Sequence, residues 1–275
     1  MTEMPERHPI TLKKLVYEIP GMESVPVMRG IEYRRDEAGP LTLDLYRPKN
    51  AGGARPPVVV FVTGYRDEGA RTKLGCAFKD MESYIGWARL TAMCGMAAVL
   101  YENRDPATDA HAVLRSVRDK ADDLGVDGAR IALWSCSGNG PNALSLLIDA
   151  AAETNLCCAV FAYACLLDEA PFTGVADAAK QWGFVTPARG RTIEDIPTNV
   201  PLFVARAGAD AFPQLNETID RFAAAAVKRD LPLTLLNLSG APHAFDVMHN
   251  VESSREAIRR ILEFLRLHLK GSSGA

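Results

Sequence analysis

The chain has 275 residues, 48% of them hydrophobic and 24% charged, and a formal net charge of −3 at pH 7. This balance argues against nucleic acid or an anionic membrane as the main partner, because both recruit basic surfaces. No run approaches the roughly 18 consecutive apolar residues of a membrane span.

Along the chain, the opening MTEMPERHPITLKK lacks the apolar core of an export signal. VMRGIEYRR and LTLDLYRP then predict two antiparallel strands at the edge of a sheet. From about residue 56 short apolar runs alternate with helical patterns. The runs are VVVFV (58–62), AAVLY (97–101), IALW (131–134), CCAVFAYAC (157–165), LFVA (202–205) and LTLLNL (233–238). They are nearly continuous, as strands covered on both faces should be. Between them, 106–125 keeps helical spacing through Ala110, Val113, Leu114, Val117, Ala121 and Leu124. A last helix is expected to open at Ser253, with Glu256 completing a capping box. It carries Ile258, Ile261, Leu262, Leu265 and Leu269 on one face.

Such alternation predicts an α/β fold with a mostly parallel central sheet and helices on both faces. About 36 residues separate the runs ending at Cys165 and starting at Leu202, too many for a simple crossover. A small helical cap insertion is expected over 168–199, within a single domain spanning 1–270. The terminal GSSGA (271–275) is expected to be a flexible tail. The six cysteines fall mostly in apolar runs, without metal-ligand or disulfide spacing. They read as buried reduced thiols of a cytoplasmic protein, and no metal is expected.

Parallel sheets bind ligands at the carboxyl ends of their strands. There, RIALWSCSGNGPNAL turns sharply from strand to helix. A nucleophile on such a corner is exposed but strained, and it needs small residues two places before and two after. Centred on Ser137, those flanks are Ser135 and Asn139, with Pro141 in the first helical turn. Centred on Cys136 the preceding flank is Trp134, and centred on Ser135 it is Leu133, both bulky. Ser137 is therefore the candidate nucleophile, although the pattern is S-C-S-G-N and both outer glycines of G-x-S-x-G are replaced. The bland alternative is a tight serine-glycine turn. Further along, Asp210 follows the next-to-last strand and His243 follows the last. Asp168 and Glu169 are rivals for an acid one strand earlier, and Asp246 reads as a helix-start or supporting residue. His8, His111, His249 and His268 read as surface groups.

With LTLDLYRP, PPVVVFVTGY, DGARIALWSCSGNG, RAGAD and PHAF in this order, residues 40 to 270 resemble the α/β-hydrolase esterases. The carboxylesterase and dienelactone-hydrolase-like branches are the nearest in pattern. The resemblance implies Ser137 as nucleophile, His243 as base and Asp210 as acid, with no cofactor. It implies an oxyanion hole from the N–H of Gly138 and one from the TGY loop, assigned to Tyr65. Thr63 stands where the family often has histidine. Dienelactone hydrolases use cysteine, but at the central position, which here is Ser137. Trp182 and Phe184 are candidates for lining the substrate pocket. The implied activity is hydrolysis of small carboxylic esters through an acyl-enzyme. Lactone or dienelactone hydrolysis, or thioester hydrolysis, are alternatives on the same residues. A peptidase is less favoured, and a ligand-binding protein without turnover is the reading from another class. The expected partner is a small-molecule ester, with a homodimer as a family-level expectation.

Overall fold

The computed structural model describes residues 6–49, 53–154 and 156–270. The expected tail, 271–275, lies outside them. Eight strands form one sheet: β1 (Val27–Asp36), β2 (Gly39–Tyr46), β3 (Pro57–Phe61), β4 (Ala97–Tyr101), β5 (Asp127–Cys136), β6 (Leu156–Ala162), β7 (Leu202–Ala207) and β8 (Leu233–Leu238). Their order is β1-β2-β4-β3-β5-β6-β7-β8. β1 and β2 form an antiparallel hairpin that joins β4 antiparallel, and every other pairing is parallel.

The helices are α1 (Asp67–Leu74), α2 (Glu82–Met93), α3 (Pro106–Asp119), α4 (Ala121–Leu124), α5 (Gly140–Thr154), α6 (Val175–Trp182), α7 (Leu215–Lys228), α8 (Phe245–Met248) and α9 (Glu252–His268). Successive side chains of a strand point to opposite faces, so the continuous apolar runs feed two cores. Val58, Val60, Leu133 and Phe161 pack with Val113 of α3, Leu144 of α5 and Ile219 of α7. Val59, Phe61, Trp134 and Val160 face the other way, toward Trp87 of α2 and Ile258, Ile261 and Leu262 of α9.

Four local expectations are corrected. The periodic stretch 106–125 breaks at Lys120 into α3 and α4. β6 stops at Ala162 rather than Cys165, because Tyr163 adopts a φ of 39° and leaves the sheet. β8 is half-exposed rather than covered on both faces, since it is an edge strand with Leu235 in the open. The capping box at Ser253 does not form. α9 starts at Glu252 with Val251 at its cap, and Glu256 pairs with Arg259 and Arg260 instead.

The segment between β6 and β7 holds α6 and a single turn of 3-10 helix, Ile193–Asp195. Its Val175, Ala179, Ile193 and Ile196 join the core over α5 and α7. It reaches the sheet's carboxyl edge at one point, where Val185 N donates to Gly64 O at 2.8 Å and Phe184 bridges to Tyr65. No helix among the described residues is long and apolar enough to cross a membrane.

Candidate active site

β5 delivers Cys136 in extended geometry, and the chain then turns at Ser137 with φ 54°. A non-glycine residue at this angle is strained, and such strain clusters at functional sites. The corner is held by its surroundings. Cys165 N donates to Ser137 O at 3.0 Å, and a Cβ on Gly140 would stand 2.1 Å from Cys165 O, so only glycine fits there. Gly138 is equally constrained, because a Cβ would come within 2.4 Å of the Phe184 ring.

The structure brings Ser137, His243 and Asp210 together. Ser137 Oγ lies 2.8 Å from His243 Nε2, and His243 Nδ1 lies 2.7 Å from Asp210 Oδ2. The Asp210 side chain is buried, and its Oδ1 accepts from Phe212 N at 2.8 Å. Two main-chain bonds draw the Asp210 loop toward the histidine loop, from Gly208 N to Leu238 O (2.8 Å) and from Ala209 N to Ala241 O (2.9 Å). Phe212 stacks over the imidazole with centroids 5.9 Å apart, and Tyr163 meets it edge-on at 5.0 Å. The rival acids are engaged elsewhere. Asp168 accepts from Thr173 N, Thr173 Oγ1 and Ala176 N within the insertion, and Glu169 accepts from Ile193 N.

Cys136 is a buried thiol whose pKa burial pushes up to about 12. At pH 7 the neutral thiol is strongly favoured, and the thiolate is the reactive form. It lies 3.6 Å from the Tyr84 hydroxyl, and no imidazole bonds it among the described residues. Sequence spacing and thiol chemistry thus agree in favouring Ser137.

The loop of Thr63, Gly64 and Tyr65 is fixed almost atom by atom. Thr63 N–H donates to the Tyr101 hydroxyl (3.3 Å) and Gly64 N–H to Asn139 Oδ1 (2.7 Å). The three carbonyls accept from Asn142 Nδ2 (2.8 Å), Val185 N (2.8 Å) and Asn103 Nδ2 (3.0 Å), in that order. Asn139 also donates to Tyr84 Oη (3.0 Å) and Cys136 O (2.9 Å). The three asparagines were missed as functional residues by sequence reading. Asn139 was visible only as a departure from glycine, and Asn142 follows it at i+3, on one helical face. Thr63, which stands where histidine is usual, accepts from Asn103 Nδ2 through Oγ1 (3.2 Å).

Of the two aromatic candidates, Phe184 lines the cavity beside Ser137 and Trp182 does not. Trp182 closes α6 with 63% of its surface exposed. The spacing of two residues cannot put both rings into one pocket here, because α6 ends between them and the chain reverses at Gly183 (φ 100°). The Tyr65 ring is buried, stacked on Phe78 at 5.6 Å and edge-on to Phe184 at 5.0 Å, and does not line the cavity beside Ser137. Asp246 lies in the first turn of α8 and is buried, accepting from Trp87 Nε1 (2.8 Å) and Tyr163 Oη (2.7 Å). No group of three or more metal-ligating side chains occurs among the described residues.

Behind the loop, Asp67 accepts from Asn103 N at 3.1 Å, and burial lifts its carboxyl to about 7. The folded protein thus favours the protonated form relative to an unfolded value of roughly 3.9. Its contribution to stability is complete below that value and lost as pH rises through about 7. The Tm of the native protein is expected to fall between pH 5 and pH 8. Asp67→Asn should flatten that fall, as read from paired thermal melts across the range.

Neither a protein-family model nor a curated protein sequence matches the chain. Solved structures do resemble it. A thermostable esterase from Pseudomonas putida superposes with a TM-score of 0.70 at 16% identity, over 93% of this chain and 86% of that one. An esterase from Pyrobaculum calidifontis gives 0.64 at 21%, covering 90% and 87%. An α/β-hydrolase enzyme from the metagenome of Lake Arreo gives 0.67 at 18%, covering 92% and 84%. At such identities the likeness is one of architecture, and it agrees with the strand order and helix layers: the chain has the α/β-hydrolase fold.

Proposed function

We propose that the protein is a serine hydrolase of small carboxylic esters. The observation that carries this reading is the continuous chain of short contacts from Asp210 through His243 to Ser137 on a strained corner. That the structural neighbours include esterases is consistent with it.

In the mechanism, Ser137 Oγ attacks the ester carbonyl carbon while His243 Nε2 takes its proton. Asp210 holds Nδ1–H in place and stabilises the imidazolium. The tetrahedral oxyanion needs preorganised donors. Gly138 N–H, at the corner leading into α5, is one, helped by the helix dipole. The second follows by elimination within the TGY loop. Thr63 N–H and Gly64 N–H are spoken for by Tyr101 and Asn139, which leaves Tyr65 N–H. Collapse of the intermediate expels the alcohol, protonated by imidazolium. Water then repeats the sequence on the acyl-serine and regenerates Ser137. The same residues would serve a lactone or thioester. Reduced cysteines fit a cytoplasmic setting.

The direct test is labelling with a fluorophosphonate, followed by mass spectrometry of the modified peptide. Attachment at Ser137, prevented by prior treatment with a slowly turning-over ester, supports the reading. A folded protein that neither labels nor hydrolyses p-nitrophenyl acetate or butyrate would favour the ligand-binding alternative.

Asn139 is the positioning residue of this scheme. Asn139→Ala is expected to lower kcat about 10- to 100-fold with a smaller change in KM, since its main effect is to loosen an oxyanion donor. Asn139→Asp keeps the acceptor for Gly64 N–H and should recover part of the loss. Steady-state kinetics on p-nitrophenyl butyrate, with melts to confirm folding, give the answer.

A further inference from the structure

The cavity beside Ser137 has a volume of about 250 Å³. Six aromatic side chains line it: Phe78, Tyr84, Trp87, Trp134, Tyr163 and Phe184. A dry cavity of about 150 Å³ accommodates benzene. This one therefore has room for a compact head group and a few methylenes. Its lining contains no Lys, Arg or Glu, yet it contains Asp246.

That carboxyl is an anomaly for the ester chemistry, which does not use it. Asp246 is 2% exposed and makes no ion pair among the described residues. Burial pushes its pKa above the ordinary value, against the hydrogen bonds from Trp87 and Tyr163 and the pull of His243. Trp87 and Tyr163 give each oxygen one hydrogen bond, while each carboxylate oxygen has room for two. His243 also lines the cavity, and its Nδ1 is already paired with Asp210. The Cys136 thiol and the Tyr84 and Tyr163 hydroxyls are all shifted up by burial and stay neutral.

A buried carboxyl within an aromatic box suits one kind of ligand. Ring faces attract cations, most strongly where water is excluded. A metal ion or a primary ammonium holds its water tightly, and the apolar wall cannot replace that shell. A tertiary or quaternary ammonium is weakly hydrated and has an apolar surface for the rings. The geometry points to a substrate class: esters that carry a tertiary or quaternary ammonium on the group entering this cavity, with Asp246 as counter-charge and the aromatic rings as its cage. Anionic esters are excluded by the same carboxyl. This assignment rests on the esterase reading of Ser137.

The test compares isosteres that differ only in charge. Butyrylcholine is set against 3,3-dimethylbutyl butyrate for hydrolysis, and choline against 3,3-dimethylbutan-1-ol for binding, followed by tryptophan fluorescence. The expected result is a preference of at least about tenfold for the cation in both assays. The preference should collapse toward unity in Asp246→Asn. A preference at or below unity in the native protein overturns the inference, as does a preference that survives Asp246→Asn intact. If Asp246→Asn does not fold, the native comparison decides alone. Failure of the esterase reading shows separately: p-nitrophenyl butyrate and both butyrate esters would go unhydrolysed, while binding still reports on the cage.

Discussion

Replacing Ser137 with alanine is expected to lower kcat for p-nitrophenyl butyrate by at least about 10⁴-fold, since loss of a serine nucleophile removes the covalent route altogether. The fold should be kept, and relief of the strained corner at φ 54° will not restore activity, because alanine brings no nucleophile. The contrasting variant is Cys136→Ala. Its thiol is held at about pKa 12 by burial, so its removal should leave most of the activity. Steady-state rates on the two purified variants separate the possibilities. Collapse in Cys136→Ala with survival in Ser137→Ala would move the nucleophile by one residue and favour the dienelactone-hydrolase-like chemistry.

Asp210→Asn should have the next largest effect, a fall in kcat of about 10⁴-fold, because an amide imposes the wrong imidazole tautomer and withdraws charge from the imidazolium. The 2.7 Å contact to Nδ1 is what the substitution corrupts. KM should change far less than kcat. Asp168→Asn is the necessary companion, since an acid one strand earlier was an open alternative. Asp168 is bonded to Thr173 and Ala176, so its loss should register as a lower melting temperature of the insertion, with kcat largely kept. The reverse pattern would transfer the acid role to Asp168.

Much of this site was legible in the sequence because its members sit at topological stations. Ser137, Asp210 and His243 each follow an apolar run, and parallel strands place all such loops on one edge. What stayed hidden depends on contacts between distant segments. Asn139 read as a damaged glycine position. It is a clamp on Gly64, 75 residues earlier, and no local pattern encodes that partner. The S-x-x-E at Ser253 has the composition of a capping box, yet Arg259 and Arg260 compete for Glu256 and the helix starts without it. Trp182 and Phe184 look alike as aromatics of an insertion. The reversal at Gly183 sends one to solvent and the other against Gly138. Asp246 read as a helix-start or supporting residue, and only the fold shows that it is buried in the wall of the cavity beside Ser137.

The hydrogen bond from Val185 to Gly64 and the seating of Phe184 over Gly138 have a mechanical consequence. They tie the insertion to the loop of Thr63, Gly64 and Tyr65, so a fixed wall rather than a swinging lid is the expected behaviour. Catalytic competence then depends on the weakest part of that connection. On the proposed mechanism, local fraying of the insertion would loosen the loop of the second oxyanion donor while the sheet stays whole. On slow heating, ester hydrolysis should decline several degrees before the far-ultraviolet signal of the strands and helices does, and the two curves should merge if the insertion is cross-linked to the loop.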